Sequence, residues 1–289
     1  MAMQNGGGSA VAVDLHAHTS ASDGTLAPVE LVRLAREAGL HAVAVTDHDT
    51  CAGHAEALAA GARLGVEVVP GVELSADEEG REVHILGYFV PAADAAWEAA
   101  LCALRARRTE RAQRIVEKLR ACGVAIEWED ILREWGGEAL GRPHIARALM
   151  RLGAARSLHD AFERYLGRSG SCFVPKIPFP AVEAIALIRA AGAVAVVAHP
   201  GLIGDDALLS RIADGGAQGV EVWHPDHDEA ARARYDSFAR ARGLVRTGGS
   251  DFHGAAPGHR GDLGSQPVDP QALADLRAAR SGAAPRAGS

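Results

Sequence analysis

Apolar positions along the chain fall into short blocks that switch between two periods. Val11 to Leu15 is a β-branched run, and Pro28 then opens a segment with Leu31, Leu34, Ala35 and Ala38 at helical spacing, closed by Gly39. The alternation repeats. Ala42 to Val45 reads as a strand, Ala55 to Leu64 as an Ala-rich helix stopped by Gly65, Val66 to Val72 as a buried strand and Val83 to Tyr88 as another. After Phe173 it resumes, with helices at Val182 to Ala191, Ala207 to Ala213 and Glu229 to Arg242 between strands at Val194 to Ala198, Val220 to Trp223 and Leu244 to Arg246. Strands alternating with helices predict an α/β fold on a parallel sheet.

Between these halves the strand rhythm is lost. A helix is expected from about Asp94 to Ala121, followed by a stretch carrying Trp128 and Trp135, which read as the small core of an insertion rather than a base-stacking pair. The chain therefore divides into an α/β part at residues 11–96 and 173–282, a helical insertion or cap at 97–172, and disordered tails at 1–10 and 283–289.

Composition narrows the function. With 48% hydrophobic residues the chain can bury a full core, and 30 Lys+Arg against 37 Asp+Glu give a net charge of −7. That field repels phosphate polymers, so broad coating of nucleic acid or anionic membrane is excluded, while a local basic pocket is not. The 6 Phe, 4 Trp and 3 Tyr are too few for a single-strand stacking platform. Cys51, Cys102, Cys122 and Cys172 form no C-x-x-C pair, so neither a disulfide framework nor a thiolate zinc site is expected. No apolar run is long enough to span a bilayer, the N-terminus has no signal-type core, and a reducing cytoplasm is the expected setting; no protein partner is predicted.

The chemistry lies where strands end. In Asp14-Leu15-His16-Ala17-His18 the two imidazoles project to the same side, about 7 Å apart along a strand, where they can share a metal. Later strands end in or carry further ligand types: Asp47 and His48, Glu73, His84, His199, Asp251 and His253. In parallel α/β folds the carboxyl ends of strands converge, so distant residues would gather at one site.

These motifs resemble those of the PHP (polymerase and histidinol phosphatase) metallohydrolases: Asp14-Leu15-His16-Ala17-His18-Thr19 with Ser22-Asp23-Gly24, Val45-Thr46-Asp47-His48-Asp49, Gly71-Val72-Glu73, Ala198-His199-Pro200 and Gly249-Ser250-Asp251-Phe252-His253. All occur in order between about Val11 and Gly264. The resemblance implies a distorted (β/α)7 barrel and up to three metals. One would take His16, His18, Glu73 and Asp251, a second Glu73, His84 and His199, and a third Asp23, His48 and His253, with Glu73 bridging the first two. Imidazole and carboxylate ligands suit Mn²⁺, Zn²⁺ or Fe²⁺, two or three ions per chain. Three divalent ions against three carboxylates leave about three positive charges, which hydroxide and a phosphate dianion together neutralise. Metal-bound hydroxide is thus the expected nucleophile, with no catalytic side chain required. Asp47 would orient a ligand without touching a metal, or serve as a hydrogen-bonded structural Asp.

Within that family the insertion resembles the branch that hydrolyses 3′,5′-nucleoside bisphosphates and trims short 5′-phosphorylated RNA, through Arg107-Arg108-Thr109-Glu110-Arg111-Ala112, Gly141-Arg142-Pro143-His144-Ile145-Ala146-Arg147 and Val174-Pro175-Lys176. The implied substrate contacts are Arg142, His144, Lys176 and His227. Lys176 has no obvious acidic neighbour in the sequence. Arg107, Arg111 and Arg114 make one helix face, read as basic or as solvated beside Glu110 and Glu117. His224 and His227 read as rim residues or a polar loop, and His41, His54, His159 and His259 as surface or structural. The expected activity is release of the 3′-phosphate of a nucleoside bisphosphate, with short RNA as a second substrate. Histidinol phosphate or another small phosphate ester, a C–N bond hydrolase, and a non-catalytic metal-binding module are the competing readings.

Overall fold

Seven strands join in chain order into one sheet in a computed structural model that describes residues 12–254 and 261–282. The tails expected at 1–10 and 283–289, together with Val11 and His259, lie outside the described residues. The elements run β1 (Ala12–Asp14), α1 (Pro28–Glu37), β2 (Leu40–Val45), α2 (His54–Leu64), β3 (Glu67–Glu78), β4 (Arg81–Tyr88), α3 (Ala95–Ala121), α4 (Trp128–Glu134), α5 (Arg142–Arg151) and α6 (Leu158–Ala161). A π turn at Phe162–Leu166 follows, then α7 (Ala181–Ala190), β5 (Val194–Val197), α8 (Asp206–Asp214), β6 (Gly219–Trp223), α9 (Glu229–Arg242), β7 (Val245–Gly248) and α10 (Gln271–Arg280). The architecture is α/β.

The sheet is mixed rather than parallel, which corrects the expectation drawn from the alternation. β4 runs antiparallel to both β3 and β5. The cause is local: Glu79 and Gly80 both have positive φ, 52° and 73°, the backbone of a tight hairpin turn that leaves no room for a crossover helix. The same hairpin carries β3 to Glu78, six residues past the expected end at Val72. Sheet ends meet at the other side. Leu15 N–H donates to Gly248 O at 3.1 Å and Ala17 pairs in parallel with Phe252, so β1 returns to β7. Gly249 makes that approach possible, because a Cβ there would stand 2.4 Å from His16 N.

Two kinds of core hold the chain. Val13, Leu15, Ala44, Val69, Leu86 and Val196 fill the space enclosed by the sheet and continue into Leu273 and Leu276 of α10, a helix the apolar pattern did not reveal. Between β4 and β5 the helices α3 to α6 enclose a separate cluster around Ile115, Leu119, Ile131, Leu140 and Leu149, against which Trp128 and Trp135 pack. α3 serves both. Trp97, Leu101 and Leu104 of its first half pack with the sheet and outer helices, whereas Ala112 to Leu119 belong to the cap, so the core changes hands within the helix rather than at Trp97.

Candidate metal centre

Strand ends and the hairpin bring the nine expected ligands together around Glu73, which is buried. Its Oε2 lies 3.3 Å from His16 Nε2, 3.1 Å from His18 Nε2 and 3.3 Å from His48 Nδ1. Its Oε1 faces His84 Nδ1 at 2.8 Å and His199 Nε2 at 3.0 Å. Asp251 Oδ1 stands 3.3 Å from both His16 Nε2 and His18 Nε2. On the far side Asp23 sits between His253 Nε2 (3.3 Å), His18 Nδ1 (3.8 Å) and His48 Nε2 (3.9 Å).

Among the described residues, three sets of ligand atoms lie within 4.8 Å of one another: His16, His18, Glu73 and Asp251; His18, Asp23, His48 and His253; and His48, Glu73 and His84. The first is the expected set. The second is the expected trio with His18 added. The third holds His48 where His199 was expected, although His199 reaches the same Glu73 oxygen as His84.

The donor chemistry fits cations. His16 Nε2, both nitrogens of His18 and His48 Nδ1 are buried without a hydrogen-bond partner among the described residues, a costly state that coordination would relieve. Ligands about 2.1 Å from a shared ion stand roughly 3 to 3.5 Å apart, close to the spacing around Glu73. Burial opposes charge on His16, but Glu221, Glu73 and Asp251 override it and hold the ring well above its usual range. His18 is likewise raised to about 10, burial notwithstanding, by Asp251 and Glu73. Burial also pushes Glu73 upward, and His84, His48 and His16 override it to keep the carboxylate ionised.

A pH dependence follows from those directions. Protons occupy His16 and His18 in the metal-free protein up to about pH 10 for His18, and a cation must displace them. Affinity for Mn²⁺ should therefore rise with pH between about 7 and 9, by up to roughly tenfold per unit for each proton expelled. Calorimetric titration in buffers of different ionisation enthalpy reads the released protons; a flat affinity with no proton release would contradict the assignment of these two rings.

Residues outside the ligand set fix its geometry, and of these Glu221 was not among the expected site residues. Glu221, buried in mid-β6, accepts from His16 Nδ1 at 3.0 Å through Oε1 and from His199 N–H at 2.8 Å through Oε2. Once a cation displaces the second proton, that contact keeps the remaining one on Nδ1, so His16 Nε2 turns its lone pair toward Glu73 and Asp251. Asp14 accepts from the backbone of His16, Ser250 and Gly264, tying β1 to the segment that carries Asp251. His224 Nε2 approaches Asp251 Oδ2 at 3.4 Å. Asp47 accepts from Thr19 N–H, Thr19 Oγ1 and Ser22 Oγ at 2.8, 2.6 and 2.6 Å, so it braces the turn leading to Asp23 rather than the adjacent His48. Three non-glycine residues here take positive φ: Asp49 at 52°, His199 at 25° and Asp251 at 50°. Such conformations cost about 1 to 3 kcal/mol each and persist only where the surroundings enforce them.

A cavity of about 580 Å³ opens over the cluster, lined by His48, Glu73, His84, His199, Asp251 and His253 at its floor and by Arg107, Arg108, Arg111, Arg142, Arg147 and Lys176 from the cap side. Its outer wall is apolar, with Leu158, Phe162, Ile177, Phe179 and Leu202. Arg108, unremarked within its sequence motif, is the best anchored of these cations, paired with Asp49 and donating to Ser75 Oγ. Burial and Arg142 lower Arg111 to about 10. Arg142 pairs with Glu82 and its guanidinium lies 5.4 Å from the Phe162 ring centroid.

Three expectations about substrate contacts need correction. Lys176 does have an acidic neighbour: Nζ is 2.6 Å from Glu82 Oε1, brought there by the hairpin from far away in sequence. Glu82 also meets His84 Nε2 at 3.3 Å, so one carboxylate joins a candidate metal ligand to two cations. His144 is buried, accepts from Gly141 N–H through Nδ1 at 3.0 Å and bonds Ser22 O through Nε2 at 3.1 Å; it caps α5 and fastens it to the Asp23 turn. His227 spends Nδ1 on Val222 O at 2.9 Å and Nε2 on Gly201 N–H at 3.0 Å. Neither ring lines the cavity. His54 bonds Gly71 O at 2.7 Å as a structural residue, and His159 is exposed at the cavity rim.

Known proteins resemble this chain over most of its length. The PHP domain family model matches residues 14–130. The chain is 36% identical over 255 residues to a 5′-3′ exoribonuclease Rnm of Salmonella typhimurium, covering 86% of this chain and 87% of the relative. It is 36% identical over 260 residues to a 3′,5′-nucleoside bisphosphate phosphatase of Chromobacterium violaceum, covering 87% and 90%. A phosphoribosyl 1,2-cyclic phosphate 1,2-diphosphodiesterase of Eggerthella lenta is 35% identical over 246 residues, covering 83% and 94%. Among solved structures, a protein assigned as a metal-dependent phosphoesterase from Bifidobacterium adolescentis superposes with a TM-score of 0.85 at 34% identity, covering 94% of this chain and 97% of that one. Among the described residues no helix is long and apolar enough to cross a membrane.

Proposed function

Because the chain belongs to the PHP family and is a metal-dependent phosphoesterase, we propose that its substrate is a nucleoside 3′,5′-bisphosphate, cleaved at the 3′-phosphate, and that short 5′-phosphorylated RNA is trimmed at the same site. The observation that carries this reading is the cavity's two-part charge: a ligand cluster at the floor, and a separate group of cap cations reached across His84 and Glu82. A substrate with two phosphates meets both parts. A simple monoester uses only the floor.

We assign His16, His18, Glu73 and Asp251 to one ion, Glu73, His84 and His199 to a second, and Asp23, His48 and His253 to a third, with Mn²⁺ as the expected metal. When bound, such ions supply Lewis-acid charge for the phosphoryl oxygens and a more acidic water. The protein's own part is positional. Glu221 keeps His16 in one tautomer, Asp47 braces the Asp23 turn, and Arg108, Arg142 and Lys176 hold the phosphate that is not cleaved. Ionised guanidinium and ammonium donors suit that task, since charge-assisted bonds are roughly twice as strong as neutral ones.

The relatives named above differ in substrate at nearly equal identity, so identity does not choose among them. A phosphate-release panel with Mn²⁺ does: adenosine 3′,5′-bisphosphate, AMP, histidinol phosphate, ribose 1,2-cyclic phosphate 5-phosphate and 5′-phosphorylated oligoribonucleotides. The bisphosphate should have the highest kcat/KM, by at least about tenfold over AMP, the value of one charge-assisted contact. Preference for the cyclic phosphate or histidinol phosphate would overturn the assignment.

A further inference from the structure

The cap contains a thiol pair that the sequence spacing hid. Cys122 follows the last residue of α3 and is exposed, while Cys172 is buried in the cap core. Their sulfurs lie 3.5 Å apart. A disulfide needs about 2.05 Å, so closure asks for a movement of about 1.5 Å. The surroundings allow it: Cys122 is outside the helix, and no helix or strand occupies residues 167–180. The same two segments are already joined by Lys118 Nζ donating to Phe173 O at 2.7 Å and Arg111 Nε donating to Val174 O at 2.8 Å. Cys51 Sγ accepts from Trp97 Nε1 at 3.4 Å and Cys102 is exposed on α3, and these two thiols serve as internal controls.

We infer that Cys122 and Cys172 form a thiol–disulfide modification site, opened by low-molecular-weight disulfides at the exposed Cys122 and resolved by the buried Cys172. The steps balance. The Cys122 thiolate, having lost its proton to solvent, attacks one sulfur of a small disulfide, forming a mixed disulfide and expelling one small thiolate. The Cys172 thiolate then attacks the Cys122 sulfur, forming the internal bond and expelling the second. Two protein thiols are oxidised and one small disulfide is reduced to two thiols. The product closes the loop that carries α4, α5 and α6, fixing the helix of Arg142 and the approach to Lys176 against α3. A cross-link of this kind restricts the open states of the loop it closes.

The test treats the full-length, metal-loaded protein with oxidised glutathione and maps its thiols after denaturation and alkylation. Titratable thiols should fall from the four in the sequence to about two. The intact mass should drop by about 2 Da with no glutathione adduct, and a single cross-linked peptide should pair Cys122 with Cys172; dithiothreitol should reverse all three. Cys172→Ser should instead trap glutathione on Cys122, and Cys102→Ser should behave as wild type. A persistent adduct on Cys122 in the wild-type protein, or a bridge involving Cys51 or Cys102, overturns the proposal. If Cys172→Ser does not fold, the wild-type peptide map decides alone. The bridged form should also lose activity more slowly on heating, and equal inactivation rates in both redox states would remove the role in holding the cap. Thiol mapping needs no substrate, so its outcome is separate from that of the substrate panel.

Discussion

Replacing Glu73 by Gln should cut phosphate release by about 100- to 1,000-fold and lower the bound metal from two or three ions per chain to one or fewer. Among the described residues Glu73 is the one carboxylate that touches five of the site's imidazoles, two through Oε1 and three through Oε2. The amide keeps its shape and size, so packing survives while the charge that compensates buried cations is lost. Removing one partner of a buried charge cluster costs at least about 3 kcal/mol, which at 1.4 kcal/mol per decade is two decades or more. A ligand at the edge of the cluster, such as the partly exposed His253, should cost less. Elemental analysis after Mn²⁺ loading and dialysis, beside a kcat/KM measurement, reads both effects; circular dichroism checks the fold. Wild-type metal content in Glu73→Gln would refute the bridging role, and fewer than one ion in the wild type would refute the metal assignment as a whole.

The candidate ligand cluster was legible because most of its members stand at or just after a strand end within a short motif, and strand ends converge whatever the details of the sheet. His84 was the exception in position. It lies in mid-β4 and reaches Glu73 only because the hairpin turns that strand antiparallel, a reversal decided by the two positive-φ residues Glu79 and Gly80 rather than by apolar rhythm. Glu221 escaped notice for a different reason: in Gly219-Val-Glu-Val-Trp a single carboxylate within a short strand belongs to none of the ligand motifs, and only the folded sheet brings it to His16. Glu82 also escaped notice, since its partners Arg142 and Lys176 are 60 and 94 positions away. The His-rich motifs overstated the substrate wall. His144 and His227 have the right residue type near the right place, but both ring nitrogens of each are spent on backbone groups. Which of two nearby imidazoles faces a cavity is settled by local hydrogen bonds that spacing does not encode.

Arg142→Ala should separate the two phosphates of the substrate. Arg142 opens α5, where its guanidinium is held between Glu82 and the face of Phe162 at the cavity wall. That placement costs it little rotamer freedom on binding, because both contacts already restrict it. A charge-assisted contact of this kind is commonly worth about 1.5 to 3 kcal/mol, so the variant should lose roughly 10- to 100-fold in kcat/KM on adenosine 3′,5′-bisphosphate. The loss should fall toward the upper end, since Glu82 keeps its negative charge with one cation fewer and faces the incoming phosphate beside Lys176. The double variant Arg142→Ala, Glu82→Gln should recover part of it. On AMP, which has no second phosphate, the single variant should change kcat/KM by less than about threefold, and Mn²⁺ content should stay at the wild-type value because Arg142 touches none of the nine candidate ligands. An equal loss on both substrates would mean that Arg142 serves the reacting phosphate or the cap's stability, and the assignment of the cap cations to the uncleaved phosphate would fail.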